Sequence, residues 1–255
     1  MSNVTNEIVK TEGTELVTTQ STMPLGFEDE DAGDMIIPRV KMIQMLSPER
    51  KEKIADEGDI INSLTKDKLN GKKFIPVYKF NSNILWKDRS EGGGIDCHAK
   101  DGKVGTLSDG TTQMCSICRK CEFNNAAQGK DALPTCTKYI NFFGFIEGER
   151  IPLILSFSKT NFAEGKKLYS LAKVTMQNMW NYGYTLEAKT QAKNGNEWFI
   201  IQVAPGGATS EEDRAFGASL YQNFRYTNVD FDLGEDNTVV DTPQAPTVDV
   251  SNTEF

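Results

Sequence analysis

Histidine is nearly absent from this chain of 255 residues, because His98 is the only one. A single histidine excludes a Ser-His-Asp or Cys-His catalytic group that does not use His98 itself. The sequence also lacks a Walker loop, a Gly-x-Gly-x-x-Gly after a predicted strand, and a His-Glu-x-x-His. Acidic pairs such as Asp230 and Asp232 fall in a polar tail rather than on predicted strands. We therefore expect no catalytic activity.

Long hydrophobic runs are also missing. The chain contains no stretch of about eighteen apolar residues. It does not begin with the basic, apolar and small-residue pattern of a signal peptide. We therefore expect no membrane association and an intracellular location. Disulfides are disfavoured in such a reducing compartment.

Basic residues are scarce at both ends of the chain. Residues 1–34 hold eight acids and one base, and residues 229–255 hold seven acids and no base. Subtracting these from the totals of 36 acids and 28 bases leaves 21 acids and 27 bases in residues 35–228, a net charge of +6. Acidic segments poor in apolar residues do not bury enough surface to fold. The pattern predicts disordered acidic termini around one mildly basic domain.

Cysteine is absent outside one stretch of forty residues, which holds all five. Thiols two residues apart can turn back onto one metal ion, and a distant pair can complete a tetrahedral zinc site. Four thiolates leave no open coordination position, so this spacing predicts a structural zinc rather than a catalytic one. Zinc takes four ligands, and the spacing alone does not decide which thiol is left over. His98, beside the first cysteine, is expected to be a solvated loop residue. The cysteines are Cys97, Cys115, Cys118, Cys121 and Cys136.

Alternating apolar residues predict strands on both sides of this cysteine-rich insert. Residues 72–80 predict one strand, Asn81–Asn83 a turn, and a second strand ends near Trp86. Two hairpins follow the insert, with turns at Gly148-Glu149 and at Lys193-Asn194-Gly195.

Capping signals predict two helices. Thr160 or Asn161 resembles the N-cap of the first, with Glu164 as the capping-box partner of Asn161. Thr209 with Glu212 resembles the cap of the second. The second segment also has an apolar residue at every fourth position: Phe216, Leu220 and Phe224. A mainly β chain with two helices is typical of a small antiparallel barrel. We favour an OB-like barrel with residues 92–137 as an inserted zinc-binding loop, although a sandwich would produce similar patterns.

Aromatic and basic residues alternate along the predicted strands. Single-stranded nucleic acid is held by rings that stack on bases and by cations that follow the phosphates. About half of these rings must face the core, because side chains alternate along a strand. The candidates for DNA binding are Lys72, Lys73, Tyr78, Lys79, Phe80, Trp86, Lys87, Lys138, Tyr139 and Phe142.

The base-free C-terminal tail is a second candidate site. It ends in Phe255, and its acids include Asp249 and Glu254. One interpretation is a solubilising tail without a specific role. The other is an anionic peptide that competes with DNA for the basic surface and presents its terminal ring and carboxylate to partner proteins.

Three segments of the sequence, "CHAKDGKVG", "CRKCEFNNAAQGKDALPTC" and "IPLILSFSKTNFAEGKKL", resemble those of bacteriophage single-stranded-DNA-binding proteins with an inserted zinc loop. The resemblance covers about residues 35–205. Carried over by position, it implies that Cys97, Cys118, Cys121 and Cys136 bind Zn²⁺ and that Cys115 is spare.

The same resemblance implies a protein that coats single-stranded DNA during phage replication or recombination in the cytoplasm of the infected bacterial host. Its tail would then recruit a DNA polymerase, a primase or helicase, or a recombinase. The alternative is a zinc-ribbon transcription or replication accessory factor that binds a polymerase and does not coat DNA. The sequence leaves the oligomeric state open.

Overall fold

The computed structural model describes residues 37–87, 94–107, 112–113 and 136–225. The strands are β1 (Val40–Met42), β2 (Ile60–Asn62), β3 (Lys73–Trp86), β4 (Ile95–Ala99), β5 (Gly105–Leu107), β6 (Thr112–Gln113), β7 (Thr137–Ile146), β8 (Pro152–Ser158), β9 (Tyr182–Lys193) and β10 (Asn196–Ala208). The α-helices are α1 (Pro48–Lys51), α2 (Phe162–Val174) and α3 (Glu211–Phe224).

The prediction of a mainly β chain is confirmed, but this part of the chain has three helices rather than two. The additional helix, α1, has only four residues, which is too short to produce a helical periodicity in the sequence. None of the helices in the described ranges is long and apolar enough to cross a membrane. The termini that we predicted to be disordered, residues 1–34 and 229–255, lie outside the described residues.

Strand β3 is the centre of the main sheet. It pairs with β7 along most of its length, from Phe74 opposite Ile146 to Ile84 opposite Thr137. Its other edge pairs with β9 at the start of the strand and with β4 at the end. The sheet is antiparallel at each of these pairings.

The turn predicted at Asn81–Asn83 is wrong, because β3 runs straight through it. Polar residues occur here because they bond across the sheet. The buried Asn141 donates from Nδ2 to Ser82 Oγ at 2.8 Å and accepts from Ser156 Oγ at 2.8 Å. This row of three polar side chains crosses β3, β7 and β8, so the buried groups are satisfied without ending the strand.

Both predicted hairpins are confirmed. Strands β7 and β8 pair around a turn in which Gly148 has a φ of +76°, and β9 and β10 pair around Asn194 and Gly195, with φ of +55° and +81°. Positive φ at two successive residues is the geometry of the two-residue hairpin turn that matches strand twist, and Asn-Gly adopts it at low cost.

The sheet of β3, β7 and β8 is buried on both faces. Its inner face includes Phe74, Phe142 and Phe157 and packs in one apolar cluster with Leu168 of α2 and with β9 and β10. Helix α2 approaches closely because Gly165 has no side chain: a Cβ there would lie 2.8 Å from Phe157 Cβ.

The outer face of the same sheet packs against α3. It contributes residues such as Phe143 and Phe145, and α3 contributes the predicted apolar stripe of Phe216, Leu220 and Phe224. The N-cap of this helix is Ser210, one residue after the predicted Thr209, and Ser210 Oγ accepts from the Asp213 N–H at 3.0 Å. Burial on both faces explains why nearly every residue of β7 is inaccessible.

Side chains, rather than a strand, bond to the outer edge of β10. The Gln44 amide donates to Phe199 O at 2.7 Å and accepts from Phe199 N at 3.0 Å. Two residues on, the Asn161 amide, oriented to satisfy both groups, bonds to the N–H and C=O of Ile201 at 3.3 and 3.0 Å. These amides occupy the backbone groups that an adjacent strand would use.

The same edge continues at Val203, where Glu164 accepts from the N–H at 3.0 Å and Lys167 donates to the C=O at 2.7 Å. Asn161 is the N-cap residue of α2, which is one of the two predicted positions, but its side chain makes no cap hydrogen bond and Glu164 reaches across to β10, so the predicted capping box does not form. The expected closed barrel is not present either, since no ladder joins β8 to β10 among the described strands.

Candidate nucleic-acid interface

Two of the lysines proposed to bind DNA are already paired with acids. Lys72 Nζ lies 2.8 Å from Glu149 Oε1, and Lys73 Nζ lies 2.9 Å from Glu147 Oε1. Both acids flank the turn between β7 and β8. A phosphate would have to displace these carboxylates, so Lys72 and Lys73 are poor sites for DNA in this conformation.

Two other candidate lysines, farther along β3 and β7, form no ion pair with a carboxylate in the described ranges. Lys79 is half-buried, and desolvation lowers its pKa. Lys138 is exposed and lies opposite Asn83, on the same side of the sheet as Lys79. A partly desolvated ammonium without a counter-ion is stabilised by any anion that approaches it. This end of β3 is therefore the better site for a phosphate.

Two of the candidate aromatic rings are part of the core. Phe142 has no exposed surface, and Tyr78 is 8% exposed and stacks on Phe143 with ring centroids 5.0 Å apart. Burial raises the pKa of Tyr78 to about 12, against the opposing effect of the Arg225 charge. We assign Tyr78 and Phe142 to packing, because neither offers a surface on which a base could stack.

The other candidates on these strands retain some accessible surface. Phe80, Trp86, Lys87 and Tyr139 are all half-buried. They lie in the second half of β3, directly after it, or at the start of β7. The partly accessible candidates therefore occupy the end of the sheet where the chain enters and leaves the cysteine-rich insert.

Tyr169 on α2 belongs to the same region and was missed in the sequence, where only strand aromatics were considered. The residue is 39% exposed. Lys79 Nζ lies 5.3 Å and Lys173 Nζ lies 6.0 Å from the ring centroid. Tyr169 and Lys173 are four residues apart on a predicted helix, and this spacing is the signal that could have identified them.

The first and last cysteines lie at this same end of β3. Cys97 in β4 pairs with Leu85 on one edge of β3, whereas Cys136 directly precedes Thr137, which pairs with Ile84 on the other edge. Both cysteines are half-buried. The sheet therefore brings together two residues that are far apart in the sequence.

The remaining parts of the proposed metal site lie elsewhere. Cys115, Cys118 and Cys121 are outside the described residues. Within the described ranges, no group of three or more His, Cys, Asp or Glu side chains could hold a metal. His98 is not in a loop, as we expected, but in β4, where it is half-buried and pairs with Ile84 of β3 and Thr106 of β5.

The tail residues Asp249, Glu254 and Phe255 are also outside the described residues. The last described residue is Arg225, which follows α3 and places its guanidinium 5.5 Å from the centroid of the Tyr78 ring. The described part of the chain therefore ends at the outer face of the sheet, beside the middle of β3.

Comparison with known proteins gives one informative match. A family model described as Pam3 phage gp34-like protein matches residues 9–230, which is more than half of the chain. No curated protein and no solved structure matches the sequence.

Proposed function

Because this chain belongs to the Pam3 phage gp34-like protein family, we propose a phage function for it: non-catalytic binding of single-stranded DNA during replication or recombination. The observation that carries the proposal is the group of lysines around the second half of β3. Lys79 and Lys138 form no ion pair with a carboxylate in the described ranges, and Lys79 is partly desolvated. Cations in this condition favour a polyanionic ligand.

The order of strand pairing supports an OB-type architecture for this binder. Strand β3 pairs with β7 and β7 with β8, then α2 follows, and β9 pairs with both β3 and β10. The OB fold is a five-stranded, partly open barrel, and we propose that these five strands, with a helix between the third and the fourth, are a variant of it. The seam between β8 and β10 is filled by residues 37–44, through a bridge from Arg39 to Ile154 and the Gln44 amide bonds.

We also propose that the insert binds one structural Zn²⁺. Cys97 and Cys136 converge at the end of β3, and the intervening sequence contains Cys118 and Cys121 at the two-residue spacing. Thiolate sulfur is the donor that structural zinc prefers. The ion would cross-link a loop too short to build its own core. In this scheme Cys115 is not a ligand.

The tail has two roles in this proposal. Its acids compete with DNA for the basic surface, and Asp249, Glu254 and Phe255 bind a phage polymerase, a primase or helicase, or a recombinase in the cytoplasm of the infected host. The supporting features are a complete lack of bases in residues 229–255 and the terminal aromatic residue.

Fluorescence anisotropy with labelled oligo-dT, duplex DNA and RNA of equal length tests the function. We expect the full chain to prefer the single DNA strand and to lose affinity as salt rises. Equal affinity for duplex and single strand would reject this function. Tight binding to a polymerase without oligo-dT binding would instead support the zinc-ribbon accessory factor.

A further inference from the structure

We infer that α2 carries a stacking platform for single-stranded nucleic acid, with the ring of Tyr169 as its centre and Lys79 and Lys173 as its phosphate contacts. This inference rests on the proposed function and assigns part of the binding to the helix rather than to the strands. The ring of Tyr169 lies against Lys79, in the middle of β3, on the face of the sheet that also carries Phe142, the strand partner of Lys79.

The platform belongs to a longer stripe in which aromatic and basic residues alternate. Its members, Phe162, Lys166, Tyr169 and Lys173, are separated by four, three and four positions. These intervals place all four on one side of a helix. Lys166 Nζ lies 5.1 Å from the centroid of the Phe162 ring, which repeats the arrangement of Lys173 and Tyr169 two turns away.

Most residues of this stripe do not contribute to the packing of α2 against the sheet. Helix α2 buries Gly165, Leu168 and Ala172, which form a separate side of the helix. Phe162 is half-buried against the inner core, whereas Tyr169 and both stripe lysines are exposed. An exposed ring held among cations contributes little to the core, so its chemistry is available to a ligand.

Charge on the stripe favours an anion. No ion pair in the described ranges joins Lys79, Lys166 or Lys173 to a carboxylate. The acid of α2, Glu164, is instead engaged by Lys167 and by the Val203 N–H. The cations are held near the rings only by weak cation–π attraction. A base can therefore take the place of an ammonium on the Tyr169 ring while that ammonium binds the adjacent phosphate.

This combination selects the class of ligand. Stacking requires an unpaired base with a free face, and the lysines require phosphate next to it, so the fitting ligand is single-stranded nucleic acid rather than a duplex. A ligand without bases would use only the lysines. An abasic oligonucleotide therefore separates the contribution of the ring from that of the charges.

Tyr169→Ala in the full chain, measured by anisotropy with oligo-dT and with an abasic oligonucleotide of equal length, tests the platform. We expect a loss of affinity for oligo-dT of about 5- to 150-fold, the range for one stacked base, and no change for the abasic strand. Lys173→Ala should weaken both. Tyr169→Phe should retain binding, and Val174→Ala, at an exposed position off the stripe, is the matched control.

Cross-linking supplies a second readout. A bromodeoxyuridine oligonucleotide should cross-link to Tyr169, with the adduct located by mass spectrometry. Wild-type affinity of Tyr169→Ala for oligo-dT, in a chain that still prefers single strands, would overturn the platform and leave the proposed function intact. If the wild-type chain shows no preference for oligo-dT, the proposed function itself fails.

Discussion

Lysines at the start of β3 and lysines from its middle onward have different surroundings, although their sequence contexts are similar. At the start of the strand, Lys72 and Lys73 are held by Glu149 and Glu147. Farther along, Lys79 is half-buried without an ion pair to any described carboxylate. The comparison teaches that neighbouring acids, rather than the number of bases, determine which lysines can bind phosphate.

The backbone contacts at these two ends of the sheet also differ. At the start, the turn between β7 and β8 is tied to α3, because Gly148 N–H and Arg150 both donate to Asp213, at 3.3 and 2.9 Å. At the other end, β3 leads into the cysteine-rich insert, with Cys97 and Cys136 on either edge. The first end is therefore bonded to α3, and the second is the end at which we propose that a ligand binds.

The largest expected effect concerns the insert. Cys121→Ser should lower the zinc content from one ion per chain to none, because three thiolates do not complete the structural site. Hydrogen exchange should then accelerate in β4 and leave β9 unchanged. Elemental analysis and exchange mass spectrometry measure the two effects. Cys115→Ser is the matched control and should retain its zinc; the reverse pattern would assign Cys115 as a ligand in place of Cys121.

Replacing the lysines of each group shows directly which group contributes to DNA affinity. Lys79→Glu with Lys138→Glu should weaken oligo-dT binding by about 100-fold at low salt and reduce the salt dependence by about 1.4, since each phosphate contact on a single strand contributes about 0.7. Lys72→Gln with Lys73→Gln should change affinity less than two-fold. Anisotropy over a salt series measures both. Equal losses in the two double variants would remove the distinction between the ends.

A substitution of Asp213 tests how much the contacts at the start of β3 contribute to stability. Burial acts to raise its pKa, but hydrogen bonds from Arg150, Ser210 and the Gly148 N–H outweigh that effect and hold the pKa below its ordinary value. Asp213→Asn should therefore cost about 2 kcal/mol of stability at pH 7, the range for bonds to a charged group. Denaturant unfolding measures this loss.

The pH dependence of that variant follows from the lowered pKa. A carboxylate whose folded pKa is depressed stabilises the protein above its unfolded pKa of about 3.9, and the stabilisation is lost as pH falls through the lower folded value. The difference in stability between wild type and Asp213→Asn should thus be full at pH 6 and shrink below about pH 4. A constant difference across this range would show that the charge of Asp213 contributes nothing. Binding of oligo-dT should be unchanged at pH 7.

Local chemistry allowed the hairpins and α3 to be predicted. Asn194-Gly195 and Gly148 occupy positive-φ positions that few other residues adopt. The turns can therefore be predicted from the local sequence, without knowing which residues the strands contact. Helix α3 can be predicted for a similar reason, because the spacing of its apolar residues follows from the geometry of the helix itself.

Long-range contacts caused the errors. Asn81–Asn83 has the composition of a turn, but Ser82 bonds to Asn141, fifty-nine positions away. Glu164 has the spacing of a capping box, but it accepts from Val203, thirty-nine positions away. Tyr169 was overlooked because its nearest cation, Lys79, is on a strand distant in sequence. Sequence patterns report neighbours along the chain, and these three residues act through neighbours in space.

The smallest expected effect concerns the acidic tail, and it also tests whether the tail competes with DNA for Lys79 and Lys138. Removing residues 229–255 should strengthen oligo-dT binding about five-fold at low salt, and the gain should disappear at high salt because charge competition is screened. If the tail competes at the ligand-binding end, the truncation should give no gain in the Lys79→Glu, Lys138→Glu background. A double-mutant cycle measures this coupling. An equal gain in oligo-dT affinity in both backgrounds would show that the tail acts at another surface. Removing a competitor increases the affinity only where the surface for which it competes is still present.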